Sequence, residues 1–129
     1  MKLRKIMASL AAAVIVSTAA VIPASAYSST VAGFTVNYSS SISSSYATST
    51  SSISADPTAN TLVAKIYGTF VYRNTSTGVG ERDTKSSSGN GGCGVQYKAP
   101  SGCEMKSVSS SHDFKINGVF KQLYSAASR

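Results

Sequence analysis

The sequence predicts an all-β domain: a small antiparallel β-sandwich or flattened barrel of six to eight strands, preceded by a helical signal peptide. Three observations carry this expectation. Beyond residue 26 the larger side chains recur at every second position, the spacing of extended chain. Turn-forming residues punctuate these runs at short intervals. No amphipathic helical pattern of useful length follows the N-terminal segment.

That segment has the layout of an export signal. Lys2, Arg4 and Lys5 make a positive start, Ile6 to Ile22 is apolar, Pro23 ends the run, and Ala24-Ser25-Ala26 supplies small residues for cleavage. The expected division is a removed signal, 1–26, and a single secreted domain, 27–129, with the cut between Ala26 and Tyr27. The apolar run of 17 residues contains Ser9, Ser17 and Thr18. It is shorter than the roughly 20 apolar residues that cross a bilayer, so no membrane insertion is expected after signal removal.

The mature chain carries nine basic residues and five acidic ones, a net charge of +4. The basic residues are dispersed, which leaves no electrostatic footprint for nucleic acid. Ile, Leu, Val and Phe are few, a composition that borders on disorder. Low net charge, seven Tyr and ten mature Thr argue the other way, because these residues suit a pleated, half-buried sheet.

From the N-terminus, Phe34, Val36, Tyr38, Ile42, Tyr46, Thr48 and Thr50 share one parity. The Ser/Thr-rich part, 39–54, is expected to divide between two strands joined near Ser39 to Ser41. Asp56-Pro57-Thr58-Ala59-Asn60 reads as a turn. A long central strand follows, with Leu62, Ala64, Ile66, Phe70 and Tyr72 on an apolar face and Lys65, Tyr67, Thr69, Val71 and Arg73 on a mixed one. Residues 74–78 read as a loop and 79–88 as a charged edge partner of that strand. Residues 89–92 read as a flexible connection, and a strand runs from Cys93 to Lys98. Finally, Asn117-Gly118 predicts a two-residue type I′ hairpin that pairs Ile116 with Val119, Phe114 with Lys121 and His112 with Leu123. Phe114, Ile116, Val119 and Leu123 are the expected core side.

Cys93 and Cys103 are the only cysteines. An even count in an exported chain predicts a disulfide, which would close an 11-residue ring and stabilise by about 2 to 3 kcal/mol. One geometric objection stands against it: a tight turn at Pro100-Ser101 would leave the cysteines about 16 Å apart along the strand. The bridge therefore requires the intervening segment to bow into a wide loop. A metal site using Cys93, Cys103 and His112 lacks the close ligand pairs of zinc centres, and no metal or cofactor is expected.

Ser111-His112-Asp113 spells a hydrolase triad in consecutive positions. Strand alternation turns His112 away from both neighbours, so a sheet-surface histidine beside a turn is expected and no catalytic residue is assigned. Gly89-Asn90-Gly91-Gly92-Cys93-Gly94 matches G-x-G-x-x-G but lacks the strand before it and the helix after it that a dinucleotide site needs. Tyr67, Tyr72, Tyr97 and Tyr124 could build an aromatic platform. Tyr72 falls on the apolar face, whereas Tyr67, with Lys65 and Val71, lies on the mixed face and is the expected contact surface.

One histidine and five carboxylates leave few ways to assemble a general acid and base, so an enzyme is not expected. The expectation is a monomeric surface- or partner-binding module, secreted by a Gram-positive-type bacterium towards a cell-surface, glycan or protein partner. A bacteriocin-like antimicrobial or toxin is the alternative, though the concentrated cationic and apolar segment of a membrane-active killer is missing.

Overall fold

The computed structural model describes residues 22–54 and 62–129, which form eight strands in two antiparallel sheets. In chain order these are β1 (Ile22–Val31), β2 (Phe34–Ile42), β3 (Tyr46–Ile53), β4 (Leu62–Asn74), β5 (Gly80–Asn90), β6 (Gly92–Lys98), β7 (Cys103–Ile116) and β8 (Val119–Ser128). Sheet A has the order β1-β2-β3-β6 and sheet B the order β5-β4-β7-β8. The fold is thus all-β and sandwich-like. Most of the expected export signal and the turn expected at 56–60 lie outside the described residues. The expected cut between Ala26 and Tyr27 falls inside β1, where those residues oppose Ser39 and Tyr38 of β2.

Two hairpins use two-residue loops with both residues in the left-handed region. Asn117 and Gly118 have φ of 50° and 82°, and the register pairs Ile116 with Val119 and His112 with Leu123 as the sequence predicts. Ala32 and Gly33, with φ of 51° and 82°, make the same turn between β1 and β2. Alanine carries a steric cost there that asparagine largely avoids, which is why this turn is silent in the sequence.

The chain passes between sheets through tight connections. Gly91, at φ 84°, donates its N–H to the Leu62 carbonyl, and its own carbonyl accepts the Ile53 N–H, both at 2.9 Å. It joins the ends of β3 and β4 to the β5–β6 corner. The expectation of a flexible connection at 89–92 is therefore corrected. Gly89 and Asn90 end β5, Gly92 begins β6, and a Cβ at Gly89 would collide with the Gly92 carbonyl oxygen. The join between β2 and β3 also moves, from Ser39 to Ser41 towards residues 43–45, because Ser40 and Ile42 point inward and extend β2.

Side chains alternate into one core. Val36 and Ile42 of β2, Ala47 and Ile53 of β3, Ala64, Ile66, Phe70 and Tyr72 of β4, and Val108, Phe114 and Ile116 of β7 are buried together. Met105 is buried as well, out of phase with Val108, because the β4–β7 register shifts between Val71 and Tyr72. Thr48 and Thr50 do not share the inner face of β2, since Ile42 opposes Ala47 and Val36 opposes Ile53, which selects the odd residues of β3. Val119, expected in the core, is half exposed at the hairpin tip.

The expected disulfide is absent, and both cysteines are free thiols. Cys93 lies in β6 opposite Ser51, whereas Cys103 opens β7 opposite Asn74 in the other sheet. The segment between them does not bow out. β6 runs straight to Lys98, and a tight turn closed by the Cys103 N–H on the Pro100 carbonyl (2.9 Å) crosses to sheet B. The length of β6 thus separates the two sulfurs. The Cys93 thiol instead lies 3.4 Å from the Ala64 carbonyl, and burial pushes its pKa up to about 11.

Candidate functional site

Two polar features stand out, one sealed inside the sandwich and one open on its outer surface. The sealed feature is a chain of side-chain hydrogen bonds across both sheets. Ser51 of β3 lies 2.7 Å from His112 Nδ1, and Ser125 of β8 lies 2.6 Å from His112 Nε2. Ser125 continues to Ser40 of β2 (2.6 Å), Ser40 to Ser49 of β3 (2.9 Å), and Ser49 to Ser110 of β7. These six residues are all buried, and among the described residues no buried side-chain nitrogen or oxygen lacks a partner.

His112 is fully buried, which corrects the expectation of a sheet-surface histidine. Its inward direction follows from the hairpin register, since it shares parity with Phe114 and Ile116. Alternation does turn Ser111 and Asp113 to the other face, so the consecutive Ser-His-Asp forms no triad. The imidazole also packs against Tyr38, with ring centroids 5.3 Å apart. Desolvation holds its pKa down to about 4. A ring with no exposed surface and so little basicity is poorly suited to take a proton from a substrate. Its chemistry is structural: neutral imidazole donates from one nitrogen and accepts at the other, which suits two serine hydroxyls from opposite sheets.

The open feature is a shallow groove of about 510 Å³ on the outer face of sheet B. Its register places Tyr67 of β4, Ser111 of β7 and Tyr124 of β8 in one row, with Thr69, Ser109 and Ala126 in the next. Tyr67 and Tyr124 are 54% and 66% exposed, and Tyr27 of β1 closes one end of the groove. The floor is fixed from beneath, because Ser110 and Ser125 line the groove while their hydroxyls join the buried chain. Beside the tyrosine row run Lys65, Asp113 and Gln122. The Tyr124 hydroxyl donates to Gln122 Oε1, and Gln122 Nε2 donates to Asp113 Oδ1, both at 2.7 Å.

The sequence-derived contact residues Tyr67, Lys65 and Val71 do share this outer face, although Val71 lies beyond the groove in the row of Arg82 and Ser107. Of the other tyrosines considered, Tyr124 joins Tyr67. Tyr72 and Tyr97 stack on each other (5.8 Å), and Tyr97 stacks on Phe70 (5.2 Å), away from the groove. Sequence reasoning set Thr69 on the face of Tyr67 but missed Ser109, Ser111 and Tyr27 as its neighbours. The Asn117-Gly118 register already sets Ser111 opposite Tyr124, but placing Tyr67 on the far side of Ser111 needs the β4–β7 pairing, which no local signal encodes.

Among the described residues no group of His, Cys, Asp and Glu could hold a metal ion, and no helix is long and apolar enough to cross a membrane. Comparison with protein-family models, curated proteins and solved structures finds no match, so geometry alone carries the functional reading.

Proposed function

We propose that this chain is a secreted, non-enzymatic binding module of a Gram-positive-type bacterium, acting outside the cell as a monomer through the outer face of sheet B. The observation that carries this reading is the pair of exposed tyrosines, Tyr67 and Tyr124, standing on a hydrogen-bonded floor. With Tyr27 they gather three exposed rings round one groove, and a grouped apolar surface of that kind supports a contact site. The sealed histidine supports a binding role over a catalytic one.

The test is adherence of the purified 27–129 product to bacterial and host cell envelopes, measured by co-sedimentation. Tyr67→Ala combined with Tyr124→Ala should abolish adherence while leaving the circular dichroism spectrum unchanged, since both side chains are exposed. Adherence that survives the double substitution would remove the groove from the account. Growth inhibition of related strains would replace the module with a toxin, and turnover of a wall polymer would make the chain an enzyme.

A further inference from the structure

We infer that the ligand of this groove is a neutral glycan, an inference that rests on the binding-module reading and specifies its partner. The lining side chains of Tyr27, Tyr67, Thr69, Ser109, Ser111 and Tyr124 offer hydroxyls and aromatic rings and no formal charge. A pyranose is the matching object, with C–H faces that lie against a phenol ring and a rim of hydroxyls that bond to Ser, Thr and carboxylate oxygens.

The layout extends the match. Tyr67 and Tyr124 stand on strands either side of Ser111, two strand spacings or about 10 Å apart. An extended oligosaccharide laid across β4, β7 and β8 meets a ring, a hydroxyl and a second ring in turn. Along its flank, Asp113 and Gln122 present acceptors and a donor, and because Gln122 Oε1 accepts the Tyr124 hydroxyl hydrogen, the phenol oxygen keeps its lone pairs as acceptors. Lys65 offsets the Asp113 charge in the same row, which keeps the rim neutral overall.

Other partners fit less well. Nucleic acid needs several cations along its backbone, and Lys65 is the one lysine or arginine in the rows beside the tyrosines. A partner strand adds along a sheet edge, here the free side of β8, whereas the groove lies on the face of the sheet, across β4, β7 and β8. A lipid surface needs a broad apolar patch, and here the rings are separated by serine and threonine.

The test uses the 27–129 product on a printed array of neutral and anionic glycans, together with cell envelopes treated with protease or left untreated. The expected result is binding to neutral glycans on the array, with envelope adherence that survives protease. Tyr67→Ala and Tyr124→Ala should each weaken array binding by about tenfold, and Ser111→Ala by less. Envelope adherence lost with protease, together with a blank array, overturns the glycan and leaves the module standing. Binding confined to anionic glycans and unaffected by the tyrosine substitutions also overturns it. A blank array with no envelope adherence overturns both readings.

Discussion

His112 is the only histidine in the chain, and its burial makes one measurement unusually clean. In the unfolded chain its imidazole titrates near the ordinary 6.5, while in the folded protein desolvation holds it down to about 4. As pH falls from 6.5 towards 4 the unfolded state takes up a proton that the folded state refuses, so stability decreases. Above 6.5 both forms are neutral and the group has no effect; below about 4 both are charged and the loss is complete. The interval of about 2.5 pH units is worth about 3 kcal/mol at 1.36 kcal/mol per unit. That is a large share of the 5–15 kcal/mol expected of a domain. The assay is urea unfolding of the purified protein, followed by circular dichroism at half-unit steps from pH 7.5 to 4. The unfolding midpoint should fall steadily across that window. His112→Gln should unfold more easily at pH 7 yet lose the slope between 6.5 and 4.5. A wild-type midpoint flat from 6.5 to 4.5 would refute the buried, neutral imidazole. So would an equal slope in the variant, since some other group would then be titrating.

Three further predictions concern single positions. Ser125→Ala removes the partner shared by His112 Nε2 and Ser40, and should cost about 1–3 kcal/mol in urea unfolding at pH 7. Gly68 faces the core, where a Cβ would sit 3.0 Å from the Phe70 ring and 3.2 Å from Ser110 Oγ, so Gly68→Ala should destabilise by about 1–3 kcal/mol. Gly80→Ala, whose Cβ would lie 3.8 Å from its nearest neighbour, provides the control and should change little. Purified protein should have the intact mass of two free thiols, and alkylation under native conditions should modify the partly buried Cys103 before the buried Cys93.

Elements dominated by local chemistry were legible in the sequence. The long β4, the charged β5 and the Asn117-Gly118 hairpin follow from alternation and turn residues, and all appear with close to the expected bounds. β5 lies at the sheet edge, with Lys85 donating to the Gln96 carbonyl of β6 across the sandwich at 2.9 Å. Long-range pairing decided the rest. Alternation around Ser39 to Ser54 does not say which serines point inward, because serine is small and polar enough for either face; the β2–β3 register makes that choice. The histidine was misplaced for a related reason. A polar residue beside a turn is ordinarily solvated, and its burial depends on Ser51 and Ser125, which lie 61 and 13 positions away. Secretion chemistry favoured the disulfide, but the extended β6 separates Cys93 from Cys103. Half of the groove was within reach, since Tyr67 could be placed on an exposed face, while its pairing with Tyr124 needed β7 set between their strands.

The proposed meeting place of this protein and its partner is the outer face of sheet B. An amide chemical-shift map of the isotope-labelled protein, titrated with solubilised envelope fragments, tests this. Shifts should concentrate at Tyr67, Thr69, Ser109, Ser111 and Tyr124, with Tyr27 the one responder in sheet A. Shifts centred instead on Asn37, Ser39 and Thr50 of sheet A, or along the β5 edge, would contradict it.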